Sequence, residues 1–321
     1  RQNNWMTRNV VLAGNFNLTK VDELFGLLVE LGQHPKEKAD TVTAMEKIGH
    51  FLDEENQLLF ERFKSQGYNN QQISGLIAKH LDVQRVLSRA SREWDGGYAM
   101  AGMFGHGDAF VVRDPNGIRP AFFYEDDEVV VVASERTPIQ SAFVIETDKI
   151  QEIPAGYGLI IKKDGQTALK EIRPPQEKKP CSFERIYFSK GNDEDIYQER
   201  QQLGRNVVPA IMETIDHRID QTVFSFIPNT AETAFYGMIK ELEDVMNRKK
   251  IQQLAQLGKG ITQEDIQNII LTRTRIEKIA LKDVKLRTFI TQDSARDEMV
   301  SSVYDITYGA VVPHQDHLVV I

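Results

Sequence analysis

Apolar positions along the first half of the chain change period several times. Residues 9–13 read as a strand, and from Val21 the apolar positions Val21, Leu24, Phe25, Leu28 and Leu31 fall at helical spacing. Thr19 is the expected N-cap of that helix, with Asp22 and Glu23 suited to its first turn. Helical spacing returns over about 41–66, 70–80 and 82–90. From Gly97 to Ile161 the pattern becomes short runs rich in β-formers: YAMAGMF, AFVVRD, AFFYE, EVVVVAS and GYGLIIK. Turns such as GHGD and EDDE separate them, as expected of antiparallel hairpins. The proline-rich, basic stretch Lys170–Ser182 marks a domain boundary. Beyond it, a helix over about 195–215, a strand over 222–227 and a helix over 231–248 give an α/β pattern with parallel pairing. Residues 249–275, rich in Gln, Lys and Ile, read as a helical insertion with a solvated face.

The segment FSFIPNTAETA, Phe224–Ala234, combines strand, tight polar loop and helix start. Backbone N–H groups of such a loop, backed by a helix N-terminus, can cradle phosphate oxygens. An ordinary βα connection has the same outline, so the pattern alone leaves both readings open.

Composition narrows the field. At 321 residues the chain fits two domains, each able to bury a core. Hydrophobic residues at 41% and charged residues at 27% describe a globular protein, and the formal charge of -8 argues against nucleic acid as a partner. No apolar stretch approaches the ~20 residues of a membrane span, and the first residues lack the apolar centre of a signal peptide, so no membrane partner and a cytoplasmic location are expected. Cys181, the single cysteine, excludes an internal disulfide. Residue 1 is Arg, and the final run His317–Ile321 reads as a buried parallel strand, so the chain is expected to be a piece of a longer protein.

Four blocks in order, VVRDPNGIRPAFFY, VVVVASERT, CSFERIYFSKGNDEDIYQERQQLG and FSFIPNTAETA, resemble the amidophosphoribosyltransferases, also called glutamine phosphoribosylpyrophosphate amidotransferases. The resemblance covers nearly the whole chain. It implies an α+β and α/β fold class: residues 1–180 as a partial Ntn-hydrolase glutaminase domain of αββα layering, and residues 181–321 as a truncated type I phosphoribosyltransferase domain. It also implies an activity for the parent protein. Ammonia released from glutamine by an N-terminal cysteine displaces pyrophosphate from phosphoribosyl pyrophosphate (PRPP), giving 5-phosphoribosylamine for purine synthesis. The nucleophile precedes this piece and the PRPP signature loop follows it, so the piece alone is expected to be inactive.

The implied sites are carried over residue by residue. In GNFNLT, Asn15 takes the place of the oxyanion-hole asparagine and the N–H of Phe16 that of the backbone donor, with Phe where the family has Gly. Two such donors are what a tetrahedral intermediate requires, although an Asn capping a strand-to-helix turn gives the same letters. The family's acid for the substrate amine falls on Val42 or Thr43, with Asp40 two residues away. In the transferase half, Asn229, Thr230, Ala231 and Glu232 occupy the pyrophosphate loop. Thr230 would stand near Mg²⁺, and Asn229 replaces the loop's acid. Arg287 and Lys282 are candidate phosphate contacts in the segment resembling a loop that closes over PRPP.

The remaining features take structural readings. RDPNGIRP is expected to be a hairpin turn, and Cys181 a buried residue before an apolar strand. Some relatives hold an iron–sulfur cluster near that junction, but its partner cysteines are missing from this piece and none is expected. His314 and His317 are expected in an exposed loop, without a metal. The resemblance implies glutamine and PRPP as substrates and a homo-oligomer as the assembly. A regulatory relative that keeps the scaffold as a binding module is the alternative, motivated by Val42 and Asn229. A transferase using free ammonia is a third reading.

Overall fold

The computed structural model describes residues 5–33, 35, 37–282, 300 and 302–321. The chain divides into two compact units, Arg1–Glu184 and Arg185–Ile321.

In the first unit, β1 (Val10–Leu18) leads into α1 (Val21–Glu30), α2 (Asp40–Ser65), α3 (Asn70–His80) and α4 (Val83–Ala90). The strands β2 (Gly96–Phe104), β3 (Ala109–Arg113), β4 (Phe122–Glu125) and β5 (Val130–Ala133) follow. Next come α5 (Arg136–Phe143), β6 (Gln151–Glu152), β7 (Tyr157–Ile161) and β8 (Thr167–Glu171). One antiparallel sheet has the order β1-β2-β3-β7-β8 and a second the order β5-β4-β6.

Alternation along the strands explains the layering. Phe110, Val112 and Ile160 face a core shared with α2, α3 and α4, including Ile48, Leu52, Ile73 and Leu87. Val111 and Leu159, on the opposite face, pack with Ala121, Phe123 and Ile153 between the two sheets. β3 is thus buried on both sides, which is why AFVVR reads as a continuous apolar run. Phe122 points away from that inter-sheet core, and Arg136 of α5 lies over its ring at 5.7 Å. A thin helical layer therefore covers the second sheet and completes an αββα order.

Several expectations are corrected here. β1 continues to Leu18, so Asn15 and Phe16 sit inside a strand and not in a strand-to-helix turn. Lys20, not Thr19, occupies the N-cap position of α1; the Thr19 hydroxyl donates to Asp95 at 3.0 Å instead. RDPNGIRP is no hairpin turn, because β3 and β4 belong to different sheets. It is a crossover held by its own charges. Asp114 accepts from the backbone N–H groups of Tyr98, Asn116, Ile118 and Arg119. The buried Arg113 guanidinium donates to Glu152 and to the carbonyls of Gly117, Arg119 and Ile153. The proline-rich stretch is strapped to this crossover: Gln176 N–H donates to Pro115 O, Lys179 N–H to Asn116 O and Cys181 N–H to Ile118 O. Cys181 is half-buried, and the residues after it form a π-helical turn, Glu184–Phe188, where an apolar strand was expected.

The second unit contains α6 (Glu194–Thr214), β9 (Thr222–Ser225), α7 (Glu232–Leu257) and α8 (Gln263–Leu271). These are followed by β10 (Arg275–Ile276), β11 (Ala280–Lys282), β12 (Tyr304–Ile306) and β13 (His317–Val320). The central strand β9 pairs in parallel with both β10 and β13, and β11 pairs with β12. The expected insertion is in part a continuation of α7, which runs nine residues beyond Arg248 before Gly258 ends it. β13 alternates half-buried and exposed positions where a fully buried strand was expected, and His317 belongs to it. α6 and α7 cross at two glycines: a β-carbon on Gly204 would lie 1.7 Å from Ala234 O, and one on Gly237 2.0 Å from Gln201 O.

Candidate functional site

In the first unit the sequence-predicted donors lie side by side on β1. Thr19 N–H donates to Asp95 O and Gly105 N–H to Asn9 O, each at 2.9 Å, and these bonds bracket the β1–β2 ladder. Bonded and non-bonded pairs alternate in an antiparallel ladder. Asn15 therefore bonds to β2 through its backbone, while the Phe16 N–H points the other way, off the outer edge of the sheet. β1 is paired on one side only among the described residues. The Phe16 side chain packs on the helical core, and that of Asn15 is exposed on the opposite face. Phe16 is not among the residues with positive φ, so its backbone does not require glycine there.

The Asn15 amide is oriented. Its Nδ2 donates to Glu184 Oε1 at 2.9 Å, and the same oxygen accepts from Arg119 Nη1. Glu184 was not singled out from the sequence, and Arg119 only as one of the two arginines of RDPNGIRP, read there as a structural turn, because their meeting joins residues 65 apart. Of the positions expected near a substrate amine, Val42 is half-buried and Thr43 fully buried in α2. The Asp40 carboxylate accepts from Thr41 N–H at 2.8 Å at the start of that helix.

In the second unit β9, buried throughout, ends at Ser225, and α7 begins at Glu232. The intervening loop, with a cis Pro228–Asn229 peptide, borders a cavity of about 400 Å³. Asn229, Thr230, Ala231 and Lys282 all line it, together with Arg200 and Tyr304. Its remaining walls are largely apolar, with Leu203 and Val207 from α6, Ile227, Ala234 and Ile321. Lys282 Nζ lies 5.4 Å from the centre of the Tyr304 ring, within cation–π range. Arg200 is buried and fixes the turn before α6 by donating to the carbonyls of Arg185 and Ser189. Glu232 is outside this lining and accepts from Tyr236 OH at 3.4 Å. Arg287 lies outside the described residues. Among the described residues, no carboxylate lines the cavity, and no group of three or more His, Cys, Asp or Glu that could hold a metal occurs.

The loop thus opens at the C-terminal end of a parallel strand, where open α/β sheets bind their ligands. No family model matches the chain. Residue by residue, it is 26% identical over 244 residues to an amidophosphoribosyltransferase of Pseudomonas aeruginosa, covering 73% of this chain and 44% of that protein. It is 28% identical over 164 residues to the enzyme of Lachancea kluyveri, covering 47% of this chain and 31% of that one. The chain is a relative of the amidophosphoribosyltransferases. It spans about a third to a half of the length of the curated relatives it matches. Two solved structures share its fold. The glutamine PRPP amidotransferase of Bacillus subtilis, complexed with ADP and GMP, superposes with a TM-score of 0.59 at 20% identity, over 96% of this chain and 54% of that one. A structure described as the allosteric regulatory enzyme of purine biosynthesis gives 0.61 at 21%, over 100% of this chain and 54% of that one. In this amidophosphoribosyltransferase relative, no helix among the described residues is long and apolar enough to cross a membrane.

Proposed function

We propose that the full-length product of this gene is an amidophosphoribosyltransferase, and that the 321-residue chain carries one side of each of its two active centres. Glutamine is hydrolysed to glutamate and ammonia, and the ammonia displaces pyrophosphate from PRPP to give 5-phosphoribosylamine. The convergence of Asn229, Thr230, Ala231 and Lys282 on one cavity carries the reading. The loop N–H groups and the start of α7 favour phosphate oxygens, and Lys282 supplies positive charge. The apolar walls keep water from competing with ammonia at the anomeric carbon.

In the first unit, Asn15 Nδ2 and Phe16 N–H are the donors for the oxyanion formed as a thiolate attacks the glutamine carboxamide. The attacking cysteine and the ribose-phosphate loop are not among these 321 residues, and the chain alone completes neither reaction. With Asn229 in place of an acid, the described part of the loop offers Mg²⁺ neutral oxygens, the Thr230 hydroxyl among them, and the substrate's own phosphates would supply most of the negative charge that holds the ion.

The test is glutamate release and phosphoribosylamine formation by the full-length product. Wild type is expected to show both. Thr230→Ala is expected to lower the PRPP-dependent step about tenfold while glutamate release persists. A wild-type protein that binds PRPP without turnover would favour the second reading, a regulatory relative, for which Asn229 and Val42 speak.

A further inference from the structure

The crossover Arg113–Pro120 has no role in either proposed centre, yet its last arginine reaches the residue that orients Asn15. Arg119 is pinned at both backbone ends: its N–H donates to Asp114 Oδ2 at 3.0 Å and its carbonyl accepts from Arg113 Nε at 2.7 Å. Its guanidinium then meets Glu184, which is 7% exposed. Glu184 holds the Asn15 amide with the same carboxylate oxygen that Arg119 binds. A line of polar contacts thus runs from the rigid crossover through Arg119 and Glu184 to the proposed oxyanion donor.

We infer that Glu184 is a positioning residue for glutamine hydrolysis and that Arg119 cancels its charge. The inference rests on the reading of Asn15 and Phe16 as oxyanion donors. An exposed asparagine side chain samples several rotamers and both amide orientations. A carboxylate acceptor selects one, because only the NH₂ end can face it. One hydrogen of Nδ2 is then committed to Glu184 and the other remains for the reacting oxygen. Asn15 is therefore pre-organised before substrate arrives, which is the condition under which such donors accelerate a reaction. A bare carboxylate so close to a developing oxyanion would oppose the reaction, and the Arg119 guanidinium removes that opposition. Glu184 is also the last residue of the first unit and is bonded directly to Arg185 of the second.

The experiment uses the full-length protein and two assays: glutamate release from glutamine, and phosphoribosylamine formation from free ammonium and PRPP, which bypasses the oxyanion donors. Glu184→Ala is expected to lower kcat for glutamate release about 10- to 100-fold, with KM changed less than about threefold and the ammonium-dependent rate retained. Glu184→Gln keeps an acceptor and is expected to recover to within about fivefold of wild type. Arg119→Met is expected to fall below Glu184→Ala, and the Arg119→Met/Glu184→Gln double variant to exceed Arg119→Met alone. Retention of the ammonium-dependent rate shows that the variants fold. An unchanged kcat in Glu184→Ala, an effect on KM alone, or a Glu184→Gln as impaired as Glu184→Ala would overturn the positioning role while leaving the amidotransferase reading intact. A wild-type protein that releases no glutamate would overturn both.

Discussion

Gly204 of α6 faces the carbonyl of Ala234 so closely that a β-carbon on the glycine would stand 1.7 Å from the oxygen. The partner glycine, Gly237, faces Gln201 O in the same way at 2.0 Å. The two helices therefore meet backbone to backbone, and no rotamer adjustment can accommodate a side chain. Gly204→Ala or Gly237→Ala is expected to destabilise the second unit by about 3 kcal/mol or more, whereas alanine at Gly260, where a β-carbon meets nothing, should change little. Urea unfolding followed by a probe in α7 measures the difference.

Arg113 is buried and donates to four acceptors, three of them backbone carbonyls. Arg113→Met leaves the three carbonyls without this donor and Glu152 with only the longer contact to Lys178 at 3.4 Å, and a loss of about 3 kcal/mol is expected. Lysine, a single compact ammonium, should restore only part of it. Thermal unfolding of the two variants against wild type decides this, and equal stability of all three would refute it.

Asp108, in the β2–β3 hairpin, gives an acid-side dependence. Burial alone would push its carboxyl up, but hydrogen bonds from the Lys162 ammonium, the Lys163 backbone and His106 hold it below the ordinary aspartate value of 3.8. The folded state then binds fewer protons than the unfolded one as pH falls below about 3.8, so stability is present above that value and lost beneath it. The stability gap between wild type and Asp108→Asn is expected to be full at neutral pH and to narrow below pH 4. A gap that does not change with pH would contradict it.

Lys47 is a destabilising charge where Asp108 is a stabilising one, although stability again rises with pH. It is 4% exposed on α2; burial holds its ammonium below the ordinary lysine value of 10.5, partly offset by Glu93 and reinforced by Arg173. The penalty is complete below the folded value and disappears as pH rises to 10.5, so stability increases with pH across that window. Lys47→Met is expected to stabilise the first unit by about 1–2 kcal/mol at neutral pH. That gain should shrink in alkaline solution, as calorimetry at pH 7 and pH 10 would show.

In the second unit, Lys282 over Tyr304 adds positive charge to the cavity beside the buried Arg200. Lys282→Ala is expected to weaken PRPP binding about tenfold, or about 1.4 kcal/mol, and Tyr304→Leu less. Isothermal titration at two salt concentrations separates the charge effect, which falls with salt, from a loss of shape.

Periodicity made the helices legible. α3 was read to the residue and α2, α4 and α6 within one, because each buries a single stripe. The β runs were legible as strands but not as two sheets: Phe122 and Val111 look alike in sequence, and only the crossover at RDPNGIRP distributes them between layers. Asn15, Phe16 and the loop at Thr230 could be singled out as candidates because they are contiguous motifs. Glu184 and Tyr304 could not, and Arg119 only as part of a structural turn, since each gains its position through a contact distant in sequence. The Thr19 cap failed for a related reason: Asp95, across the ladder, takes the hydroxyl that a local reading gives to the helix.

The one-sided pairing of β1 has a consequence for solubility. Among the described residues of this chain, the Phe16 N–H lies on an unpaired edge and is open to a strand from another molecule. The face it borders is partly apolar, since Val11 is 69% exposed and Met103, its cross-strand partner, 52%. Gly14, Asn15 and Asn17 interrupt the apolar run where a foreign strand would have to zip, and all three disfavour extended pairing. The short stretch from Gly14 to Asn17 thereby acts as a gatekeeper against edge-to-edge pairing of this chain.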